Sequence, residues 1–279
     1  MHTPVLLEQV IDALKIINKD KYIDATYGEG GHSREIIKRG GKVLAIEWDL
    51  EQFKVQSSKF QIGDLKLVNG NFKDIERIAR ENDFFPVDGI LFDLGISMNQ
   101  IRNAGKGFSY LALEEPLDMR INQKLTTTAA DIINSSSVHE LYEIFSRNSQ
   151  EIDSGPIAEA ISRARHMKKF DKVVDLTDLI SGLSLRSKRE SVLRRIFQAL
   201  RMRVNDELTN IEKGIDGALN VLKPSGRLLI ISFNQTEDRF VKDIFKKKTE
   251  LKTQRPIRSR SNNRFEKTAL LRVVSKATS

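Results

Sequence analysis

Short apolar runs alternate with longer amphipathic stretches through the first hundred residues of the chain. This alternation is typical of α/β proteins, in which helices connect the strands of a sheet. Connections of helix length allow neighbouring strands to pair in parallel. We predict four such strands, at Tyr22–Tyr27, Val43–Glu47, Leu65–Val68 and Gly89–Asp93. Two later runs rich in Leu, Ile and Val complete the predicted sheet, Arg227–Phe233 and Ala269–Val274.

More than a hundred residues separate the fourth predicted strand from the fifth. A crossover between parallel strands needs only about a dozen residues, so this gap predicts an insertion. Ser137–Glu140 has the pattern of a capping box and precedes apolar residues at helical spacing. We therefore predict a helical domain over residues 110–195, inserted into a sheet domain of residues 1–109 and 196–279. One long helix, over 195–222, is predicted to lead back into the sheet.

The composition excludes several classes of protein. Because the chain has no cysteine, it has no disulfide, thiolate nucleophile or Cys-bearing zinc site. Its four histidines lack the spacing of metal ligands, so we predict no metal. No apolar run approaches the ~20 residues that span a bilayer. The first residues lack the basic, apolar and small-residue pattern of a secretory signal. We expect a cytoplasmic protein that does not insert into a membrane.

Positive charge is concentrated in two segments of this chain, whose net charge is +8. Residues 186–203 contain seven Lys and Arg against Glu190 alone, and residues 246–264 contain eight against Glu250 alone. Basic side chains that neutralise phosphates gain affinity by releasing condensed counterions. We expect at least one segment to contact a polyanion. The alternative is that both are solvated surfaces.

A glycine-rich turn, Gly28-Glu29-Gly30-Gly31, follows the first predicted strand and precedes a helix. Glycines let a backbone approach a bound ligand closely. Roughly 20 residues further on, Glu47 ends the second strand, where a nucleoside ribose needs an acceptor; Asp49 is a nearby alternate. Ser33 stands where the dinucleotide fingerprint requires Gly or Ala, which favours S-adenosylmethionine over a dinucleotide. The alternative is a tight turn without a ligand.

A second candidate constellation lies at the end of the fourth predicted strand. This buried strand delivers Asp93 and Leu94 to the carboxyl edge of the sheet, where ligands bind in folds of this class. A carboxylate or carbonyl there can orient an amine whose lone pair is otherwise delocalised into an aromatic ring. The alternative is that Asp93 caps a helix.

Several longer motifs, in order along the chain, resemble those of the ribosomal RNA small subunit methyltransferase H family of bacteria. They are residues 2–8, 24–33, 93–97, 107–109, 116–120, 197–208 and 226–233. The resemblance covers nearly the whole chain. It implies a class I S-adenosyl-L-methionine-dependent methyltransferase sheet, which is Rossmann-like α/β, with an inserted helical substrate-recognition domain. It also implies methylation of the exocyclic N4 of a cytidine in the decoding centre of small-subunit (16S) rRNA.

The resemblance assigns roles to individual residues. Those implied to bind the cofactor are Gly30, Gly31, His32, Glu47, Phe72, Asp93 and Gln100. We hypothesise a direct transfer in which Asp93 and the Leu94 carbonyl orient the amine and the segment from Ser232 to Asn234 forms the opposite wall. Basic residues of the inserted domain are expected to hold phosphates. An aromatic side chain is expected to support the displaced base, with Phe108, Tyr110 and Phe233 as candidates and ordinary packing as their alternative. The implied partners are small ribosomal subunit RNA and a second copy of the chain.

The chain departs from the family pattern at several positions. Glu47 stands where the family has Asp, and Asn234 stands where it has a histidine, which unlike Asn titrates near neutrality. Residues 191–194 replace the first four residues of His-Pro-Ala-Thr-Arg, and 148–151 replace a Gly-Glu-Glu element. These departures motivate an alternative function, a cofactor-binding ribosome assembly factor that has lost catalysis.

Two further alternatives find less support in the sequence. A methyltransferase acting on DNA amines would carry Asp/Asn-Pro-Pro-aromatic after the fourth strand, where this chain has Asp-Leu-Gly-Ile at 93–96. A dehydrogenase would need residues for hydride transfer, and the chain shows no such pair.

Overall fold

The computed structural model describes residues 4–59, 63–97, 100–101, 104–261 and 266–278. These residues form two compact units, Met1–Gly95 with Leu208–Ser279, and Ile96–Glu207. The second unit is longer at both ends than the predicted insertion of 110–195. It extends further because Phe108 packs against its core, and Leu200 and Val204 are buried in that core.

One mixed sheet forms the centre of the first unit. Its strands are β1 (Lys21–Asp24), β2 (Lys42–Glu47), β3 (Leu65–Asn69), β4 (Val87–Asp93), β5 (Leu222–Ser232), β6 (Leu251–Thr253), β7 (Ile257–Arg258) and β8 (Leu270–Lys276). Their order is β3-β2-β1-β4-β5-β8-β6, and β7 also pairs with β8. The pairs from β3 to β5 are parallel, whereas β8 is antiparallel to β5, β6 and β7. The predicted α/β class is confirmed.

Helices cover both faces of this sheet. They are α1 (Leu7–Leu14), α2 (Gly31–Lys38), α3 (Leu50–Lys59), α4 (Ile75–Glu81), α10 (Glu207–Val221) and α11 (Gln235–Lys247), with a 3-10 turn at Phe72–Asp74. Ile23 and Ile90 pack on the side of α4, α10 and α11, and Tyr22 and Leu91 pack on the side of α1 and α2. Since the strands are buried on both faces, they are almost continuously apolar, which is why their runs could be recognised.

The second unit is helical. Its helices are α5 (Ala129–Ser135), α6 (Val138–Ser149), α7 (Ser154–Ala164), α8 (Val173–Ser181) and α9 (Arg189–Val204). Phe145, Ile161 and Ile196 are fully buried in its core. The predicted capping box starts α6: the Ser137 hydroxyl accepts a hydrogen bond from the Glu140 backbone N–H, and the Glu140 carboxylate accepts one from the Ser137 N–H.

The prediction of one helix over 195–222 is wrong, because the chain breaks between α9 and α10. Asn205 ends α9 with a buried amide, which accepts a hydrogen bond from the Ile121 N–H at 2.8 Å and donates one to the Met119 carbonyl at 2.8 Å. Asp206 follows in the left-handed region, with φ of 49°. The amide contacts and this backbone turn stop the helix.

No helix in the described ranges is both long and apolar enough to cross a membrane. Within the same ranges, no three His, Asp or Glu side chains come together as metal ligands.

A buried ion pair connects two altered family motifs within the second unit. The Glu151 side chain is completely buried, and its carboxylate accepts a hydrogen bond from Arg195 Nε at 2.7 Å. The Arg195 guanidinium also donates to the Ser191 hydroxyl at 3.0 Å. The pair therefore connects the two altered segments inside the second unit.

We predict that Arg195→Leu destabilises the second unit by about 3 kcal/mol, because it leaves the buried Glu151 carboxylate without its charged partner. Urea unfolding of the whole protein, followed by circular dichroism, measures the change. The matched control is Arg194→Leu, which breaks an exposed pair with Glu190 and should cost less than about 1 kcal/mol. Equal effects of the two substitutions would refute a stabilising role for the buried pair.

Candidate active site

Four neighbouring strands bring the candidate residues to one edge of the sheet. β2, β1, β4 and β5 are adjacent and parallel, so their carboxyl ends lie side by side. Glu47 ends β2, Asp24 ends β1, Asp93 ends β4 and Ser232 ends β5. The predicted carboxyl-edge site is thus assembled by the sheet itself.

The glycine turn is anchored by hydrogen bonds from polar side chains that the sequence analysis did not single out. The buried Asp24 carboxylate accepts a hydrogen bond from the Ser33 hydroxyl at 2.6 Å and one from the Thr26 N–H at 3.3 Å. The Thr26 hydroxyl in turn accepts from the Asp93 backbone N–H at 2.6 Å. The turn is therefore tied to both α2 and the end of β4. The signal for Asp24 was its position at the end of β1, whereas Ser33 was noted only as a departure from the dinucleotide fingerprint.

The glycines of this turn are required for different reasons. A Cβ on Gly30 would lie 2.4 Å from the Tyr27 ring, and one on Gly31 would lie 2.1 Å from Pro4. Both positions are thus required by packing, as the alternative of a tight turn suggested. A Cβ on Gly28 would meet nothing closer than 3.9 Å. Gly28, which the site prediction omitted, is where a ligand can approach the backbone.

Glu47 is bound to the glycine turn by its carboxylate. The side chain accepts hydrogen bonds from the Gly28 N–H at 3.0 Å and the Asp49 N–H at 2.8 Å. Burial raises the pKa of Glu47 to about 7, although these two bonds oppose the shift. The alternate acceptor, Asp49, accepts from the Glu51 N–H at 3.0 Å at the start of α3. Glu47 is therefore the better placed of the two to face a ligand beside Gly28.

His32 and Asp93 face each other at the start of α2. His32 Nε2 lies 3.1 Å from the Val5 carbonyl, which can only accept, so Nε2 carries the proton. Burial lowers the pKa of His32, which keeps the ring neutral near pH 7. Its unprotonated Nδ1 lies 4.0 Å from an Asp93 carboxylate oxygen. One imidazole nitrogen and one carboxyl group therefore lie side by side between the start of α2 and the end of β4.

Asp93 is the least satisfied of the three strand-end carboxyls. The side chain keeps 26% of its surface exposed, but Oδ1 is buried and no described residue donates a hydrogen bond to it. Burial, and then the charges of Asp24 and Glu237, raise the pKa of Asp93 to about 8. Without a ligand, Asp93 therefore holds a proton near neutral pH. The geometry leaves a place for a cation or a hydrogen-bond donor.

A family model described as the MraW methylase family matches residues 1–278. The chain belongs to this family. Ribosomal RNA small subunit methyltransferase H of Carboxydothermus hydrogenoformans is 38% identical over 251 residues, covering 88% of this chain and 80% of that protein. The protein of the same name from Malacoplasma penetrans is 35% identical over 273 residues, 95% of this chain and 86% of its own length. An rRNA methylase structure from Streptococcus thermophilus superposes with a TM-score of 0.49 at 10% identity, over 100% of both chains.

These findings confirm the resemblance, the Rossmann-like α/β fold and the cofactor. MraW methylases depend on S-adenosyl-L-methionine. This molecule carries a positive sulfonium and ribose hydroxyls. The partly exposed Asp93 carboxyl suits a cationic ligand, and the Glu47 carboxylate keeps lone pairs for hydroxyls beyond its two backbone donors. The backbone at Gly28 has free space beside it. The residues present therefore fit the cofactor.

The other predicted MraW site residues have local structural roles. The ring of Phe72 packs edge-on against Phe92, with centroids 5.4 Å apart. Gln100 lies in the second unit, where its side chain accepts from the Ser97 N–H at 2.9 Å. The Ser232 hydroxyl is buried and is 3.5 Å from the Leu270 carbonyl. Their roles toward the ligands stay predictions.

Asn234 is the N-cap of α11. Its side-chain oxygen accepts from the Glu237 N–H at 2.9 Å, which leaves the amide NH₂ to donate elsewhere. Glu237 is buried and accepts from the Phe233 N–H at 3.2 Å. The sequence analysis missed Glu237, although an acid three residues after an N-cap is a recognisable helix start. It contributes to the raised pKa of Asp93.

The aromatic candidates for stacking on a base also have packing partners. Tyr110 packs edge-on against Phe197 at 6.1 Å, and Phe108 packs on the core of the second unit. Phe233 packs on the first unit's core. These contacts support the packing alternative for all three.

Cofactor affinity should depend on pH through Asp93. S-adenosylmethionine has a net positive charge, so its binding favours the carboxylate and displaces the proton that Asp93 holds below its pKa of about 8. As the pH rises towards that pKa, we expect Kd to fall about tenfold for each pH unit. Above the pKa, Kd should no longer change with pH. Isothermal titration calorimetry over about pH 6 to 9 measures Kd, and buffers of different ionisation enthalpy reveal the released proton.

Two variants separate the titrating groups. Asp93→Asn keeps the shape but cannot titrate, so the step near pH 8 should vanish and the affinity should be weaker above it. Glu47→Gln should retain that step, because Asp93 is unchanged in this variant. A wild-type Kd that does not change with pH would contradict the assignment of Asp93 to the cofactor.

Proposed function

We propose that this chain transfers the methyl group of S-adenosyl-L-methionine to the exocyclic N4 of a cytidine in the decoding centre of small-subunit (16S) rRNA. Membership of the MraW methylase family and relatives named for small-subunit rRNA methylation support a methyltransferase acting on that RNA. The observation that supports the finer proposal is the Asp93 carboxyl at the end of β4, whose side chain is 26% exposed and whose Oδ1 has no donor among the described residues.

The bound cofactor supplies an electrophilic methyl group on a sulfonium. The N4 lone pair forms a bond to the methyl carbon, the carbon–sulfur bond breaks with its electron pair going to sulfur, and N4 loses one proton. No covalent bond to the protein is needed, which agrees with a chain that lacks cysteine.

Two acceptors at the end of β4 match the two hydrogens of an exocyclic amine. One is the Asp93 carboxylate. The other is the Leu94 carbonyl, to which no donor among the described residues binds, while the Leu94 N–H donates to the Ile231 carbonyl at 3.0 Å. Holding both N–H groups in the base plane directs the nitrogen's reactive face to one side. Such positioning supplies much of the acceleration in a transfer between bound groups.

The proton released from N4 has an acceptor within the same site. Asp93 becomes a carboxylate when a cationic ligand displaces its proton, and it can then take a proton from the amine. His32 Nδ1, unprotonated and 4.0 Å from Asp93, is a second acceptor at the same place. Methyl transfer turns the positive sulfonium into a neutral thioether, so the cation that favoured the carboxylate is lost and burial again favours a protonated Asp93.

The alternative of an assembly factor without catalysis draws on the altered RNA-facing motifs. Asn234 replaces a histidine but serves as a helix cap, and Glu151 and Arg195 form a structural pair. Neither change removes an acceptor at Asp93 or Leu94. The proposal of an active enzyme is therefore the better supported of the two.

The test is to incubate the purified protein with methyl-labelled S-adenosylmethionine and small ribosomal subunits from cells that lack this enzyme. The RNA is then digested and the labelled nucleoside identified by mass spectrometry. We expect N4-methylated cytidine, in an amount close to one label per subunit. Subunits from cells that possess such an enzyme are the control and should accept no label.

Label in another nucleoside would overturn the proposed N4 specificity. No label, with cofactor binding intact, would favour the assembly-factor alternative.

A further inference from the structure

The two basic segments differ in how their charges are used. In the second unit, Arg186, Arg194, Arg195 and Arg201 each lie within ion-pair distance of an acid of the same unit. In the later segment, Lys248 pairs with Asp216. Its other described basic residues are exposed and form no salt bridge with any described residue: Lys246, Lys247, Lys252, Arg255, Arg258 and Arg260. In the earlier segment, Lys188, Arg189 and Arg203 are exposed and form no salt bridge with a described residue, so the later segment carries six such charges against three.

Part of this charge lies on the outer strands of the sheet. Lys252 is in β6, Arg258 ends β7, and Arg255 lies in the short connection between them. Both strands pair with the same side of β8, and Arg260 follows directly after β7. We call these four residues, Lys252, Arg255, Arg258 and Arg260, the edge track.

The direction of β7 relates the edge track to the candidate active site. β7 is antiparallel to β8, and β8 is antiparallel to β5, so β7 points the same way as β4 and β5. The chain therefore leaves β7 at the carboxyl edge of the sheet, where Asp93 also lies. Ser259 continues along this edge, because its N–H donates to the Ala269 carbonyl at 3.0 Å.

The strand register gives the separation. Asp93 pairs with Ile231, Ile231 with Leu271, and Leu271 with Ile257, so Asp93 and Ile257 lie in one row across the sheet. With neighbouring strands about 4.8 Å apart, the three steps place their backbones about 14 Å apart. Arg258 is the next residue, on the face opposite Ile257 because strand side chains alternate.

We propose that the edge track binds phosphates of the RNA strand that carries the target base. The inference rests on the proposed function, because it takes the target base to bind at Asp93. Arg258 and Arg260 lie closest to that site, and Arg255 and Lys252 continue the positive charge along the outer edge. Arg and Lys bind phosphate oxygens and release condensed counterions, so the contact strengthens as salt falls.

A structural role alone accounts for part of the pattern. Edge strands often carry Lys, Pro and irregular pairing that prevent another chain from adding to the sheet, and Pro256 between β6 and β7 fits this role. That role does not account for arginines at the carboxyl edge in particular. It also predicts no effect on RNA binding, so the two readings can be separated.

The test compares two variants with equal changes of charge. In the track variant, Lys252, Arg255, Arg258 and Arg260 are replaced by Gln. In the control variant, Lys38, Lys42, Lys54 and Lys66, which are exposed elsewhere on the first unit, are replaced by Gln. Binding to an in vitro transcript of the decoding-centre region is measured by fluorescence anisotropy over a series of salt concentrations. Cofactor Kd and thermal unfolding are measured alongside.

We expect the track variant to reduce the slope of log K against log salt by about 3, which is about 0.7 to 0.9 for each lost phosphate contact. Its cofactor Kd should equal that of the wild type, and the control variant should keep the wild-type slope. If the track variant unfolds at a lower temperature than the wild type, a variant with only Arg258→Gln and Arg260→Gln replaces it. This double variant should reduce the slope by about 1.5.

An unchanged slope in the track variant, or an equal loss in both variants, would overturn the inference even if the protein methylates N4 of cytidine. Conversely, a slope lost only in the track variant would support it even if methylation yields no label. The two proposals can thus fail independently.

Discussion

Three carboxyl groups where parallel strands end, two buried and one partly exposed, impose the constraint on which this site depends. Asp24, Glu47 and Asp93 each end a strand, and removal from water makes the charged form of each costly. Asp24 accepts hydrogen bonds from a hydroxyl and a backbone N–H, and Glu47 accepts from two backbone N–H groups. One oxygen of Asp93 has no such donor among the described residues. The set is complete only when a ligand supplies a positive charge or a donor to the exposed part of the Asp93 carboxyl.

The same constraint explains which departures from the family pattern matter. Arg195 and Glu151, which lie in altered segments, neutralise each other inside the second unit. Asn234 replaces a histidine at a helix start, where a side-chain oxygen that accepts a backbone N–H stabilises the helix. Glu47, one methylene longer than the family's Asp, reaches the Gly28 N–H. None of these changes supplies the missing donor to Asp93, so the chemical core of the site is unaltered.

The sheet and the strand ends could be predicted because parallel strands buried on both faces produce apolar runs with a polar residue after them. β6 and β7 could not, since they are three and two residues long and only their pairing with β8 defines them. Glycine at 30 and 31 suggested a ligand, whereas packing against Tyr27 and Pro4 requires it. The break after Asn205 escaped prediction because its amide bonds to backbone groups more than eighty residues away in sequence. Contacts of this range leave no local pattern.

The central claim is that Asp93 positions and deprotonates the acceptor amine in addition to facing the cofactor. The most direct measurement is the single-turnover rate of methyl transfer to unmethylated small ribosomal subunits, for the wild type and Asp93→Asn, with each enzyme saturated with S-adenosylmethionine. Saturation removes the effect of weaker cofactor binding. We expect the rate of the variant to be at least about 100-fold lower, because a positioned acid–base group usually contributes a rate factor of this size. A variant that transfers at the wild-type rate would contradict it.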